Sequence, residues 1–331
     1  MERLSAEFLK TVNPLLGFGA PTSVIKSIGE LYDYNKRIAP PQPASLADYL
    51  RGDKIKVDEE VIDLKKRLKE AQEQLNEAEG SRENVKKLYE ELQQKERNAH
   101  VIRRIHPNAV DKYLSDEAFR NQFEHRRETK AIVVSIDIRR STELMLKARK
   151  ADLYSDFITE LSHSLSNVII NNFGIFDKFT GDGVLAFFPE FYSGTDAVLF
   201  ALKAAQECHE VFREHYRSSK AKFSVFIQDV GLGIGIDFGL VTLVNTGAEL
   251  TVVGRPVVYA CRFGGAKAGE TLMNIEAHEM LETKRPTPLV KDVIESEIYI
   301  KNEGNALAYQ PIINLATVIQ LQPPDWLEEE N

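Results

Sequence analysis

From Ala131 onward the chain alternates short, almost wholly apolar runs with longer amphipathic ones, and several apolar runs arrive in pairs joined by tight turns. Runs this short and this apolar read as strands with at least one buried face. Ala131–Ile138 (AIVVSIDI) is one such strand, and Phe176–Phe179 and Val184–Phe188 flank the hairpin turn Thr180-Gly181-Asp182-Gly183. Val225–Asp237 and Leu240–Asn245 read as a second strand pair broken at Gly239, with Thr271–Ile275, Ile298–Ile300 and Ala308–Ile312 as the last strands. Leu153–Asn172, Asp196–Tyr216 and Arg255–Ala268 carry the helical period. Hairpins interrupt the helices, so the pattern predicts an α/β chain of the α+β sandwich type. A doubly wound parallel sheet would alternate strand and helix steadily.

The upstream half has a different texture. Val57, Val61, Leu64, Leu68, Ala71, Leu75 and Ala78 recur in steps of four and three, and Val85, Tyr89 and Leu92 keep that register. Lys, Glu, Gln and Arg fill the other positions, so residues 55–105 read as a self-associating coiled coil, with Gly80 and Arg82 as an interruption. A lone amphipathic helix is the plainer reading of the same residues. Residues 1–50 read as a small helical segment closed by Pro40, Pro41 and Pro43. Residues 106–130 read as a short connector containing Pro107, which opens a domain extending to about 320.

Charge and composition narrow the function. A net charge of −8 over 331 residues argues against a nucleic-acid partner. The two cysteines, Cys208 and Cys261, are far apart and form neither a disulfide framework nor a zinc motif. No apolar run reaches transmembrane length and the N-terminus lacks a signal-peptide pattern, so the expectation is a cytoplasmic protein.

Two carboxylates stand out. Asp137 ends an apolar strand, where a charge is costly unless it is paired or binds something. Asp182 lies at the tip of the hairpin turn. Carboxylates brought together at adjacent strand ends can hold a pair of Mg²⁺ ions. Each also has a plainer reading: Asp182 as a turn former, and Asp137 as a helix cap or the partner of Arg139 or Arg140.

The order SIDIRRST, KFTGDGVLAFF, VGLGIGIDFGLV, LTVVGRPVVYACR and IKNEGNALAY resembles the class III adenylyl/guanylyl cyclase catalytic domain over about residues 105–312, including the lead-in HPNAVDKYL. The resemblance implies a ferredoxin-like, palm-like core preceded by a helical coiled-coil segment. It implies an enzyme that turns a nucleoside triphosphate into a 3′,5′-cyclic mononucleotide and pyrophosphate with two divalent cations, Mg²⁺ or Mn²⁺. It implies Asp137, Asp182 and the carbonyl of Ile138 as metal ligands, and Lys178 and Thr251 as readers of the base. Arg262 falls at the position that stabilises charge at the α-phosphate, and Lys301 at the position that holds the terminal phosphates. Because the family divides these roles between subunits, a homodimer with shared sites is implied. Taken singly, Arg262 is equally a helix-surface arginine and Lys178 a solvated strand lysine.

The sequence departs from the family pattern at Val258, where Asn orients the ribose, at Ser141, where Phe is usual, and at Arg255, where Asp or Asn is common. Tyr259 adjoins the missing Asn. These departures resemble the pyrimidine cyclases of Pycsar antiphage systems, which implies UTP or CTP as substrate and a defence role. An adenylate cyclase of ordinary signalling and an inactive nucleotide-binding or dimerisation module are the alternatives.

Overall fold

The computed structural model describes residues 65–66, 82–300, 303–314 and 321–327. The segment 1–50, most of the expected coiled coil and Lys301 lie outside the described residues. Of the heptad region, the helix α1 (Arg82–Ile102) is described.

The core is one mixed eight-stranded sheet built on two long strands, β1 (Glu128–Arg139) and β4 (Gly231–Asn245). They run antiparallel from Glu128↔Thr242 to Arg139↔Gly231. On the other side of β1 lies the hairpin of β2 (Ile175–Phe179) and β3 (Gly183–Pro189). Beyond β4 come β6 (Glu270–Met273), parallel to it, then β8 (Gly304–Ile313) and β7 (Val290–Ile300). The short β5 (Leu250–Val253) pairs with the far end of β4.

Strand alternation sorts the side chains into two cores. Ile132, Val134, Ile136 and Ile138 point to one face. There they pack against α5 (Ala151–Asn171), α7 (Ala197–Ser218) and α9 (Ile275–Glu282) through Phe157, Leu161, Leu202, Phe212 and Leu281. Ala131 and Val133 point the other way, toward Val101, Ile105, Ala109, Tyr113, Phe119 and Phe123. The single tryptophan, Trp326, joins this second core, stacked on Tyr192 at 5.1 Å, with Nε1 donating to the Tyr192 carbonyl at 2.5 Å.

The second face also carries α8 (Arg255–Phe263), which lies very close to the sheet. A Cβ on Gly235 would stand 2.1 Å from the Ala260 carbonyl oxygen, and one on Gly233 would stand 2.4 Å from that of Ala266. Only glycine permits backbone to approach a strand so closely.

The core matches the expected α+β sandwich, with several local differences: α9 is a helix the sequence pattern does not announce, and β7 begins at Val290 where the expected strand begins at Ile298. The expected connector over 106–130 contains α2 (Pro107–Ser115) and α3 (Glu117–Asn121), whose apolar faces build the second core. The expected strand pair on either side of Gly239 is one continuous strand, and its hairpin partner is β5. Arg140 takes a left-handed conformation and starts α4 (Ser141–Lys147), an element the apolar pattern does not announce. The remaining short helix is α6 (Glu190–Ser193).

Beneath the start of α8, Asp237 is buried on β4 opposite Val133. Burial pushes its carboxyl up to about 7, and the Glu276 charge adds to the shift; the Phe238 amide, Asn274 and Arg255 oppose it. The folded chain therefore binds this proton more tightly than the unfolded chain, where the ordinary value is 3.8. The resulting stabilisation is full below about pH 4 and is lost as the pH rises through about 7. Urea midpoints measured across that range should fall with rising pH for the wild type and stay flatter for Asp237→Asn. Gly235→Ala should destabilise by about 3 kcal/mol or more, because the clash is with helix backbone. Gly247→Ala, with open space around it but a φ of +80°, should cost about 1 kcal/mol in the same denaturation experiment.

Candidate functional site

The antiparallel register of β1 and β3 sets Asp137 opposite Gly183, so that Asp182 is the next residue along the turn. Gly183 makes this approach possible: a Cβ there would meet the Ile136 carbonyl oxygen at 2.5 Å. Gly181, with φ +87°, turns the hairpin. Burial raises the Asp137 carboxyl above its ordinary range; Arg139 opposes the shift and the nearby Asp182 charge adds to it. A bound cation would relieve the like-charge penalty that Asp182 places on Asp137.

Both already have partners. Arg139 Nη1 donates to Asp137 Oδ2 at 2.5 Å, the ion pair that the sequence leaves open as an alternative for this aspartate. The Ser141 hydroxyl, at the first position of α4, donates to Asp182 Oδ2. Tyr154 lies over the same corner, its hydroxyl pushed up to about 12 by burial and by the Asp182 charge. The Ile138 side chain is in the core, so only its backbone could serve a ligand. Among the described residues no group of three or more Asp, Glu, His or Cys side chains gathers at one point. An ion here would draw on this carboxylate pair plus backbone or substrate oxygens, which suits hard, oxygen-seeking Mg²⁺ or Mn²⁺.

Lys178 and Thr251 meet through a residue the sequence reading passed over. Asp177 is 1% exposed. Its Oδ2 accepts a hydrogen bond from Thr251 Oγ1 at 2.5 Å, and its Oδ1 lies 3.8 Å from Lys178 Nζ. A β-bulge between Phe176 and Lys178 makes this possible. Phe176 pairs with Ala186 and faces the first core, whereas Lys178 pairs with Leu185, on the second face. Asp177 and Lys178 are thus neighbours that share a face. Arg104 Nε, just past α1, donates to the Asp177 carbonyl oxygen at 3.1 Å. Burial raises the Asp177 carboxyl, while the Thr251 hydrogen bond, the Lys178 and Arg104 charges and the Val252 amide oppose the shift. The signal for Asp177 was the one that singled out Asp137: a carboxylate inside an apolar strand, here IFDKF.

Arg262 lies in the last turn of α8. Its guanidinium is ion-paired with Glu303 in the β7–β8 turn, and Tyr259 Oη donates to the same carboxylate at 2.8 Å. The Tyr259 ring also faces two guanidiniums, those of Arg255 at 4.8 Å and Arg262 at 5.6 Å. Val258, on the same helix, is exposed and its apolar side chain cannot hydrogen-bond a sugar.

No family profile matches the chain, and no curated protein does. Solved structures do. The guanylyl cyclase Cya2 is 19% identical with a TM-score of 0.50, the match covering 60% of this chain and 100% of that one. The adenylyl cyclase CyaB from P. aeruginosa is 22% identical with a TM-score of 0.49, covering 58% and 97%. The guanylate cyclase domain of RhGC from Catenaria anguillulae, solved in complex with GTP, is 15% identical with a TM-score of 0.46, covering 56% and 98%. At such identities the fold alone is what is shared.

Proposed function

We propose that the chain is a class III nucleotidyl cyclase that converts a pyrimidine nucleoside triphosphate, UTP or CTP, to its 3′,5′-cyclic mononucleotide and pyrophosphate. The observation that carries this reading is the pairing of Asp137 with Gly183, which joins two carboxylates at the strand ends of a cyclase fold. In this reading Asp137, Asp182 and the Ile138 carbonyl hold two divalent cations. Such cations offset phosphate charge and acidify the attacking hydroxyl.

The ribose 3′-oxygen attacks the α-phosphorus in line and gives its proton to solvent water, the new P–O bond forms, and the bond to the pyrophosphate oxygen breaks as pyrophosphate leaves. Arg262 supplies a planar donor fork for the charge on the α-phosphoryl oxygens. Lys178 and Thr251 read the base, and Lys301 holds the terminal phosphates. Because the resemblance assigns the metal-binding carboxylates to one subunit and Arg262 with the base readers to the other, two chains facing each other complete two sites in a homodimer. The coiled coil keeps the partner at high effective concentration. The departures at Val258, Ser141 and Arg255 support a pyrimidine base and a second messenger in antiphage defence. The observation that favours an inactive binding module is that Asp137 and Arg262 each have an intramolecular ion-pair partner.

Incubating the purified protein separately with ATP, GTP, CTP and UTP, with Mg²⁺ or Mn²⁺, should yield cyclic UMP or cyclic CMP by mass spectrometry. Cyclic AMP alone would make it an adenylate cyclase, and no cyclic product would favour the inactive module. Asp137→Ala and Asp182→Ala should each abolish turnover and leave the circular dichroism spectrum unchanged; full activity in either would remove the metal assignment. Mixing Asp137→Ala with Arg262→Ala chains that exchange subunits should restore part of the activity. Since Glu303 occupies the fork that the phosphate needs, Glu303→Gln should lower KM by about tenfold, equivalent to about 1.4 kcal/mol.

A further inference from the structure

The two residues assigned to the base differ in what they can offer it. Lys178 is a donor only. A threonine hydroxyl can donate or accept, and which it does depends on where its one hydrogen goes. Here that hydrogen is committed: Thr251 Oγ1 donates to Asp177 Oδ2 at 2.5 Å. Asp177 is inside the protein, with the ammonium of Lys178 at 3.8 Å from its other oxygen. A carboxylate oxygen in that hydrogen bond is the acceptor, so the Thr251 oxygen presents lone pairs to anything outside. The side chains also differ in reach. Thr251 is short and anchored on β5, so it can meet only an atom that projects from the ring, whereas Lys178 is long enough to reach a ring nitrogen.

Building on the cyclase reading, we propose that Asp177 is a positioning residue that sets base selection by holding the Thr251 hydroxyl so that its oxygen accepts from an exocyclic amine. Cytosine fits this pair: its 4-amine donates to Thr251 while Lys178 donates to N3. Adenine presents the same order of groups on a larger ring. Uracil and guanine place a carbonyl oxygen where the amine should be, and its lone pairs oppose those of Thr251. Of the two pyrimidine substrates, CTP is therefore the one the site accepts. A buried polar group left facing a like group is how a site rejects an analogue of nearly the same shape.

The test uses the full chain and 3′-deoxynucleoside triphosphates of the four bases with Mg²⁺, which lack the attacking oxygen and report binding alone by calorimetry. The wild type should bind 3′-deoxy-CTP at least about tenfold more tightly than 3′-deoxy-UTP, the scale of one hydrogen bond gained or opposed. Asp177→Ala frees the Thr251 hydroxyl to donate, so the ratio should fall toward one, with the loss appearing in KM for CTP more than in kcat. Asp177→Asn retains an acceptor oxygen and should keep part of the ratio. If Asp177→Ala does not fold, Thr251→Val, of the same shape but without the hydroxyl, should erase the ratio equally. An unchanged ratio in the folded variants, or a wild type that prefers 3′-deoxy-UTP, would overturn the proposal and leave the cyclase reading standing. Failure of the wild type to bind any of the four would overturn the cyclase reading, and this inference with it.

Discussion

Helix α8 rests directly on β4, with helix backbone where side chains would otherwise stand. The contact at Gly233 and Gly235 fixes more than packing. The same two strands, β1 and β4, carry Asp137 at one level and Asp237 at another, and α8 carries Arg262 at its far end. Once the glycines bring α8 down onto the sheet, the arginine, the strand-end carboxylate and the β7–β8 turn that holds Glu303 have little freedom relative to one another. Close packing of this kind transmits a local change as a rigid shift, because there is no empty space in which to absorb it.

Charge in the candidate site follows one pattern. Asp137 is held by Arg139, Asp182 by Ser141, Arg262 by Glu303 and Thr251 by Asp177. Each of these four groups has a partner from its own chain. The partners are of two kinds. Arg139 and Glu303 are partly exposed and carry the charge opposite to the group they hold, so a ligand competes with them directly. Ser141 and Asp177 are buried and hydrogen-bond their group, so a ligand meets a side chain whose orientation is already set.

Much of the fold was legible because it depends on period. AIVVSIDI, the TGDG hairpin and the long helices at 151–171 and 197–218 carry patterns that local physics reads directly. The elements that were missed depend on distant partners. Gly239 reads as a strand break, yet β1 holds the chain extended through it from Glu128 to Arg139. Pro107 reads as a linker residue, yet it begins α2, where a missing amide costs nothing. In the candidate site, Asp137 stood out as a carboxylate ending an apolar strand and Asp182 as the acid of the TGDG turn. Asp177 was hidden by the more conspicuous Lys178 beside it, and Glu303 by a turn whose partner lies on α8.

Trp326 adds a practical consequence. The only indole in the chain lies against Tyr192, with His106 at 5.9 Å and Phe173 at 5.7 Å, at the seam between the C-terminal segment and α2. Its emission is thus a reporter of that seam alone. A fluorescence melting curve would record release of the C-terminal segment from the second core, while the state of the carboxylate corner would need a different probe. Agreement between the indole signal and circular dichroism would be a direct measure of whether the sheet and its C-terminal strap come apart as one cooperative unit.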